Sequence, residues 1–270
     1  MSIISPLAHI HPDATIGVDV TIDPFAVIYG EVNIGDGCHI MSHVVIMNGA
    51  NIGKNCIVYP GAVIGAIPQD LKFAGEKTTV EIGDGTTIRE CVTVNRGTKD
   101  KWKTVVGNNC LLMAYAHVAH DCIIGNNVIL ANGVQLAGHV EVGNSAIISG
   151  LSGAVQFTRI GAHTYIAGNT VIRKDVPPYV KAAREPMSFA GINSVGLQRS
   201  KFSREKIVEI TDIYRILFIE KNTTSAALQK IEASFVPTTE RDAILNFVKS
   251  SKTGIIKRPS KNESDDDTAF

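Results

Sequence analysis

The sequence predicts a mainly β fold: a parallel β-helix of hexapeptide repeats, followed by a small C-terminal α-helical domain. Three observations predict it. An aliphatic residue recurs at every sixth position through most of the span from Ile10 to Ile172. The phase of that series survives two interruptions. Beyond Ile172 it stops, two prolines follow at Pro177 and Pro178, and apolar residues take up helical spacing.

The first run is Ile10, Ile16, Ile22, Ile28, Ile34, Ile40, Ile46, Ile52, Val58 and Ile64. It resumes at Ile82, Ile88 and Val94, and again from Val106 to Ile172, where only Ala154 is not a large aliphatic. A period of six suits neither an α-helix nor a hairpin meander. It suits a coil of short flat strands with a turn after each, three hexapeptides completing a triangular turn of 18 residues. Each coil then covers the hydrogen-bonding edge of its neighbour and buries an aliphatic column. Glycine often follows the aliphatic residue, as at Gly35, Gly53 and Gly107, and is expected to supply the turn geometry.

The in-phase positions 70, 76 and 100 hold Asp70, Glu76 and Asp100, which do not belong in an aliphatic column. Residues 66–80 and 96–104 are therefore expected to project as loops, and loops on a rigid scaffold are where functional residues concentrate. The prolines end the sheet ladder, which places the β-helix at 1–178. A helical domain is expected over 179–252. Ser203 can cap a helix bearing Ile207, Ile210, Tyr214, Leu217 and Phe218; a second helix covers about 224–235, and a third follows Pro237 and Thr238. Residues 253–270 are polar and expected to be disordered.

Formal net charge is zero, which argues against a general nucleic-acid binder. No stretch reaches the roughly 18 uninterrupted apolar residues of a membrane span. Repeat-like sequence begins within the first dozen residues, in place of a secretory signal, so the expected compartment is the cytoplasm. Cys38, Cys56, Cys91, Cys110 and Cys122 fit neither zinc nor CxxC spacing. Four of them share one repeat position, so the cysteines are expected to be small buried residues.

Residues 18 apart become neighbours about 4.8 Å apart on adjacent coils. This places His120, Gly138 and Gln156 in one column, and His117, Gln135 and Gly153 in another, with His139 beside Gly138. Histidine is the commonest general base near neutrality. Asp121 adjoins His120 in sequence and could orient it, although adjacent strand residues face apart. Solvated edge histidines are the bland alternative. Zinc is another, since the HVAH spacing at 117–120 permits a hydrolytic site of three imidazoles and water.

Several segments carry a family resemblance: QDLKFAGE at 69–76, VEIGDGTTIRECVTVNRGT at 80–98, NNCLLMAYAHVAHDC at 108–122, ILANGVQLAGHV at 129–140, VPPYV at 176–180 and GINSVGLQRSKFSRE at 191–205. The hexapeptide series resembles the left-handed β-helix acyltransferases, which are trimers; the handedness comes from that resemblance. The segments narrow it to the UDP-N-acetylglucosamine O-acyltransferase family of lipid A biosynthesis, over about residues 4–250.

The resemblance implies transfer of an (R)-3-hydroxyacyl group from acyl carrier protein to the 3-hydroxyl of UDP-N-acetylglucosamine, with no metal or other cofactor. His120 matches the family's general base, and the backbone N–H of Gly138 its oxyanion donor. Asp70 and Lys72 match sugar and phosphate contacts. His117, His139 and Gln156 match further substrate contacts, and Asn193 and Arg199 match residues that meet the nucleotide. Gly168 matches a position at the end of the acyl groove, where a glycine leaves room for a long chain. Val155, Val195 and Ser200 depart from the pattern, standing where many members carry histidine, an acidic residue and a second arginine. Arg199, Lys201, Arg204 and Lys206 are expected to form a basic patch facing the acidic carrier protein.

Three rival readings remain at this level. The related N-acyltransferase carries a uridine-binding domain ahead of its β-helix, and a repeat starting near residue 4 leaves no room for one. A zinc enzyme of the β-helical carbonic anhydrase type would hold metal on histidines. A non-enzymatic scaffold would leave the histidine cluster and the QDLK segment unexplained.

Overall fold

The computed structural model describes residues 2–220 and 222–258 of the chain. Short strands follow one another around a triangle, and each pairs in parallel with the strand three further on. The result is three flat sheets of 11, 9 and 8 strands, the faces of a prism. The first face runs from Ile3–Ile4 through Leu111–Leu112 to Tyr165–Ile166. The second includes Val63–Ala66, Thr93–Asn95, His117–Val118, Gln135–Leu136 and Gly153–Ala154. The third includes Thr79–Ile82, Lys103–Val106, Ile123–Ile124 and Glu141–Val142.

The aliphatic series points inward along each face. Ile28, Ile46, Ile64, Val94, Val118 and Leu136 of the second face are all fully buried. Burial of each such side chain stabilises the fold by about 1.5–3 kcal/mol. Every coil also hydrogen-bonds to the next across the stack, as from His117 N to Val134 O at 2.8 Å and Gln135 N to Ser152 O at 2.9 Å.

The structure moves the turn to a different repeat position from the one expected. The residue with positive φ is the third after the inward aliphatic: Phe25 (65°), Asn55 (55°), Asp121 (59°), His139 (64°), Phe157 (66°). The glycine directly after the aliphatic serves coil stacking instead. A Cβ on Gly35 would lie 2.7 Å from the Gly53 carbonyl carbon of the next coil. A side chain there would wedge two coils apart.

The loops leave one corner. Residues 67–78 and 96–102 both connect the second face to the third, on consecutive coils. Asn95 Nδ2 donates to Ile67 O at 2.9 Å and ties the two loop roots together.

Beyond the last coil strand, Val171–Ile172, a hairpin of Val180–Ala183 and Ser188–Ile192 extends the first face, so sheet continues past residue 178. Four helices follow: α1 (Ser194–Arg199), α2 (Arg204–Tyr214), α3 (Thr224–Ser234) and α4 (Thr239–Lys249), with a π-helical turn at Arg215–Ile219 after α2. Ser203 caps α2, accepting from Lys206 N at 3.3 Å, and Thr238 caps α4. The short α1 has no counterpart in the apolar spacing. Residues 253–258 are ordered, contrary to expectation: Ile255 bridges Asp175, Lys257 bridges Ser188, and Ile256 is buried. The rest of the expected disordered tail, 259–270, lies outside the described residues. Cys91 corrects the cysteine reading, because it occupies a corner with φ of 57° and is exposed, whereas the other four are buried.

Candidate active site at the histidine corner

His120, Gly138 and Gln156 stack at the corner from which both loops emerge. The column follows from the repeat: His139 N donates to His120 O at 3.0 Å, and Phe157 N approaches Gly138 O at 3.4 Å. His120 is buried, with only 5% of its surface exposed. Its Nδ1 lies 2.9 Å from Asp121 Oδ2. Adjacent strand residues face apart, but Asp121 is in the left-handed turn conformation. That turn swings its side chain back beside the His120 ring. An ionised carboxylate only accepts, so Nδ1 carries a proton, and in the neutral ring the lone pair is then on Nε2.

Asp121 is fully buried and densely bonded. Its Oδ1 accepts from Thr98 N at 3.0 Å and Lys101 N at 3.2 Å; its Oδ2 accepts from Thr98 Oγ1 at 2.6 Å. Burial acts to raise the carboxyl, but hydrogen bonds from Thr98 and His120 outweigh it and hold Asp121 below the usual carboxylate range.

Gly138 lies directly against the His120 imidazole. A Cβ there would come 2.6 Å from Nε2. The site therefore requires glycine for space, at ordinary backbone geometry. His139 meets the His120 ring edge-on at 5.1 Å and stacks on Phe157 at 4.5 Å. Its Nδ1 is 3.2 Å from Asp100 Oδ2 but is not aligned for a hydrogen bond, and remains buried without a partner. Burial pushes His139 below the ordinary imidazole value. His117, on the adjacent strand, accepts from or donates to Thr93 Oγ1 at 2.7 Å. Burial, and then the neighbouring His120, lower it as well.

Asp70 reaches the same corner, its Oδ2 3.9 Å from His120 Nε2. Asp70 Oδ1 also accepts from Lys72 N at 2.9 Å, shaping the loop that presents the exposed Lys72. Gln156 is exposed beside Gly138.

The other expected site residues lie elsewhere on the same chain. Gly168 is at the corner between the first and second faces, against Gly150 O. Asn193 caps α1 and donates to His163 O at 2.9 Å, at the corner between the third and first faces. Arg199 is exposed in the last turn of α1. Nearby, His163 stacks on Tyr179 at 5.9 Å and meets Phe202 at 5.0 Å. The exposed valines Val155 and Val195 offer no polar group. A cleft bounded by Leu217, Val248 and Lys257 lies far along the chain from the histidines and is lined by none of the expected site residues.

Sequence reasoning missed Thr98 and Phe157 and held Asp121 in reserve. The turn conformation that brings Asp121 to His120 has no local signature, since glycine, aspartate and phenylalanine all occupy that position. Metal ligation is a poor fit. Among the described residues the only candidate group is His120, Asp121 and His139, without His117, and the Asp121 oxygens already accept four hydrogen bonds.

A β-helix of hexapeptides carrying a buried carboxylate–imidazole pair fits the class that the sequence resemblance implies, a hexapeptide-repeat acyltransferase. The family described as bacterial transferase hexapeptide (six repeats) matches residues 31–66 and 103–138, and that described as UDP-N-acetylglucosamine O-acyltransferase, domain 2, matches 175–256. An acyl-[acyl-carrier-protein]–UDP-N-acetylglucosamine O-acyltransferase of Myxococcus xanthus is 47% identical over 95% of this chain and 100% of its own length. One from Chlorobaculum parvum is 50% identical over 94% and 97%. The crystal structure of a UDP-N-acetylglucosamine acyltransferase from Bacteroides fragilis, 49% identical, superposes with a TM-score of 0.92 over 94% of this chain and 99% of that one. The chain belongs to the UDP-N-acetylglucosamine O-acyltransferase family.

Proposed function

We propose that the protein transfers an (R)-3-hydroxyacyl chain from acyl carrier protein to the 3-hydroxyl of UDP-N-acetylglucosamine, the first step of lipid A biosynthesis. The observation that carries this is the Asp121–His120 pair under Gly138. His120 Nε2 accepts the sugar hydroxyl proton as the oxygen attacks the thioester carbonyl, and Asp121 stabilises the imidazolium that forms. The Gly138 N–H donates to the developing oxyanion, an interaction worth about 3 kcal/mol in the transition state. The imidazolium then returns its proton to the carrier thiolate as the tetrahedral intermediate collapses. Asp70 and Lys72 hold the sugar and phosphate, with His117, His139 and Gln156 as further substrate contacts.

The active assembly is a homotrimer. Within one chain His120, Gly168 and Asn193 belong to different corners of the prism, with Arg199 on the helix that Asn193 caps, so a site using all of them draws on more than one subunit. The outward residues support such packing. The first face presents Ile57, Leu111, Ile129 and Ile147, and its corner with the second exposes Phe25, Tyr115 and Leu151. The third face instead presents Asn33, Asn51, Glu81, Glu141 and Arg159. In the trimer, Gly168 of one subunit leaves room for a long acyl chain, and Asn193 and Arg199 meet the nucleotide. No helix among the described residues is long and apolar enough to cross a membrane, and substrates of this kind place the enzyme in the cytoplasm.

A transfer assay with UDP-N-acetylglucosamine, its 3-amino analogue and carrier-bound 3-hydroxyacyl chains of varied length tests this. Transfer to the 3-hydroxyl sugar with a long-chain optimum is expected; turnover with neither acceptor would refute the reading.

A further inference from the structure

The loop 96–102 sits over the buried carboxylate, and its contacts are concentrated on one side chain. Thr98 is buried, with 7% exposure. Its hydroxyl accepts from Asp100 N at 3.2 Å, which directs the hydroxyl proton towards Asp121 Oδ2 at 2.6 Å. Its backbone N–H donates to the other carboxylate oxygen at 3.0 Å, and its carbonyl accepts from Trp102 N at 2.8 Å. Thr98 thus grips both oxygens of Asp121, the residue that sets the His120 tautomer. The grip is anchored on both sides. Lys101 Nζ pairs with Glu141 Oε1 at 2.9 Å on the third face. Glu76 Oε1 accepts from Lys99 N at 3.4 Å, while Oε2 of the same carboxylate accepts from Ala74 N at 2.7 Å in the loop bearing Lys72.

We propose that Thr98 is a positioning residue, whose hydroxyl holds the Asp121 carboxylate in the orientation that keeps His120 protonated on Nδ1 and free on Nε2. The proposal rests on the reading of His120 as general base. Thr98 touches neither His120 nor the reacting atoms; it acts through Asp121. The charged and titratable groups around His120 are Asp121 and His117 on its own coil, His139 on the next, Asp70 on the first loop, and Asp100 and Lys101 on the second.

The test compares Thr98→Val, which removes the hydroxyl at nearly constant volume, with Thr98→Ser, which restores it. Two readouts are taken: the imidazole 15N shifts of His120, which report its tautomer without substrate, and kcat, KM and the pH profile of transfer. In the valine variant the Asp121 carboxylate loses the donor that fixes its orientation, turns from Nδ1 and stabilises the imidazolium less. The acid limb of kcat therefore moves to lower pH, and kcat at neutral pH falls by about tenfold to a hundredfold as the wrong tautomer is populated, less than loss of the orienting carboxylate itself. KM for both substrates stays within about twofold. The 15N shifts show the Nδ1–H form diluted by the other tautomer, and serine returns both readouts to wild type. Wild-type shifts and pH profile in Thr98→Val would overturn the proposal. So would a loss that serine does not rescue, or one confined to KM. Should the valine variant not fold, the serine–alanine pair is compared in its place, on the same criteria. Failure of the wild type to transfer acyl groups at all would instead overturn the general-base reading, and the tautomer shifts would still report on Thr98.

Discussion

Gly138 and His120 share one small volume, and each limits the other. The space a Cβ would need is filled by the imidazole. Gly138→Ala must displace either the base or the backbone N–H beside it, and transfer should fall by at least about a hundredfold, the effect of losing one oxyanion donor; near-normal kcat would show that the two do not act together. Three histidines, two beside the site and one at the corner near Asn193, carry a pH dependence of stability. His117, His139 and His163 are each lowered, first by burial, below the 6.5 of a free imidazole. The unfolded chain then binds more protons than the folded one as pH falls through that value, so folding stability drops there. Asp121 is lowered too, and its contribution persists to lower pH, being lost only as pH falls through its folded value below 3.8. Thermal melting should therefore show a loss of stability between about pH 7 and 5, distinct from acid unfolding below 4; a flat profile above pH 5 would contradict the burial of these imidazoles. His120 and Gly138 were legible in the sequence because an 18-residue coil stacks them. Asp121 was half legible, since only the turn conformation reveals which way it points. Thr98 was not, because its partner lies 23 residues away across a projecting loop.

The elements divide into coils that repeat and segments that do not. The aliphatic period defined the coils almost completely, including the resumption after each loop, because one inward position per strand recurs without exception. The C-terminal end was less legible. Helices α2 and α4 announced themselves by a cap residue and apolar spacing, and α3 by its approximate range alone. Helix α1 and the hairpin did not, being six residues long or held by tertiary pairing. The tail from 253 read as polar, yet its first residues, with Ser251 before them, are pinned to the last coil through Asp175, which is 1% exposed. Its carboxylate accepts from Arg159 Nε at 3.1 Å, Ser251 Oγ at 2.8 Å and Thr253 Oγ1 at 2.8 Å. The Arg159 guanidinium also lies over the Phe247 ring of α4 at 4.5 Å. Asp175→Ala removes the acceptor of Arg159 Nε, Ser251 and Thr253, while Arg159 keeps its bonds to Ser250 Oγ and Phe247 O; it should destabilise the chain by about 1–3 kcal/mol, read by denaturant unfolding. Faster amide exchange at 250–257 should accompany it, and unchanged exchange there would mean the clamp holds nothing.

At the scale of the whole molecule, the expected site residues occupy three different corners of one prism. A composite site reconciles that geometry with a single reaction. Co-expression of His120→Ala with Arg199→Glu tests it. Each variant alone should be inactive. Randomly mixed trimers should regain activity at about a quarter of their sites, where an intact His120 of one chain faces an intact Arg199 of its neighbour. A site contained in one chain would regain none.

The most direct measurement is the transfer of a 3-hydroxyacyl chain from its carrier protein to UDP-N-acetylglucosamine by the wild-type protein and by His120→Ala. The account predicts turnover by the wild type, and a fall of about 10²–10⁴-fold in the variant with its assembly and melting behaviour retained. A folded His120→Ala protein that turns over at the wild-type rate would contradict it.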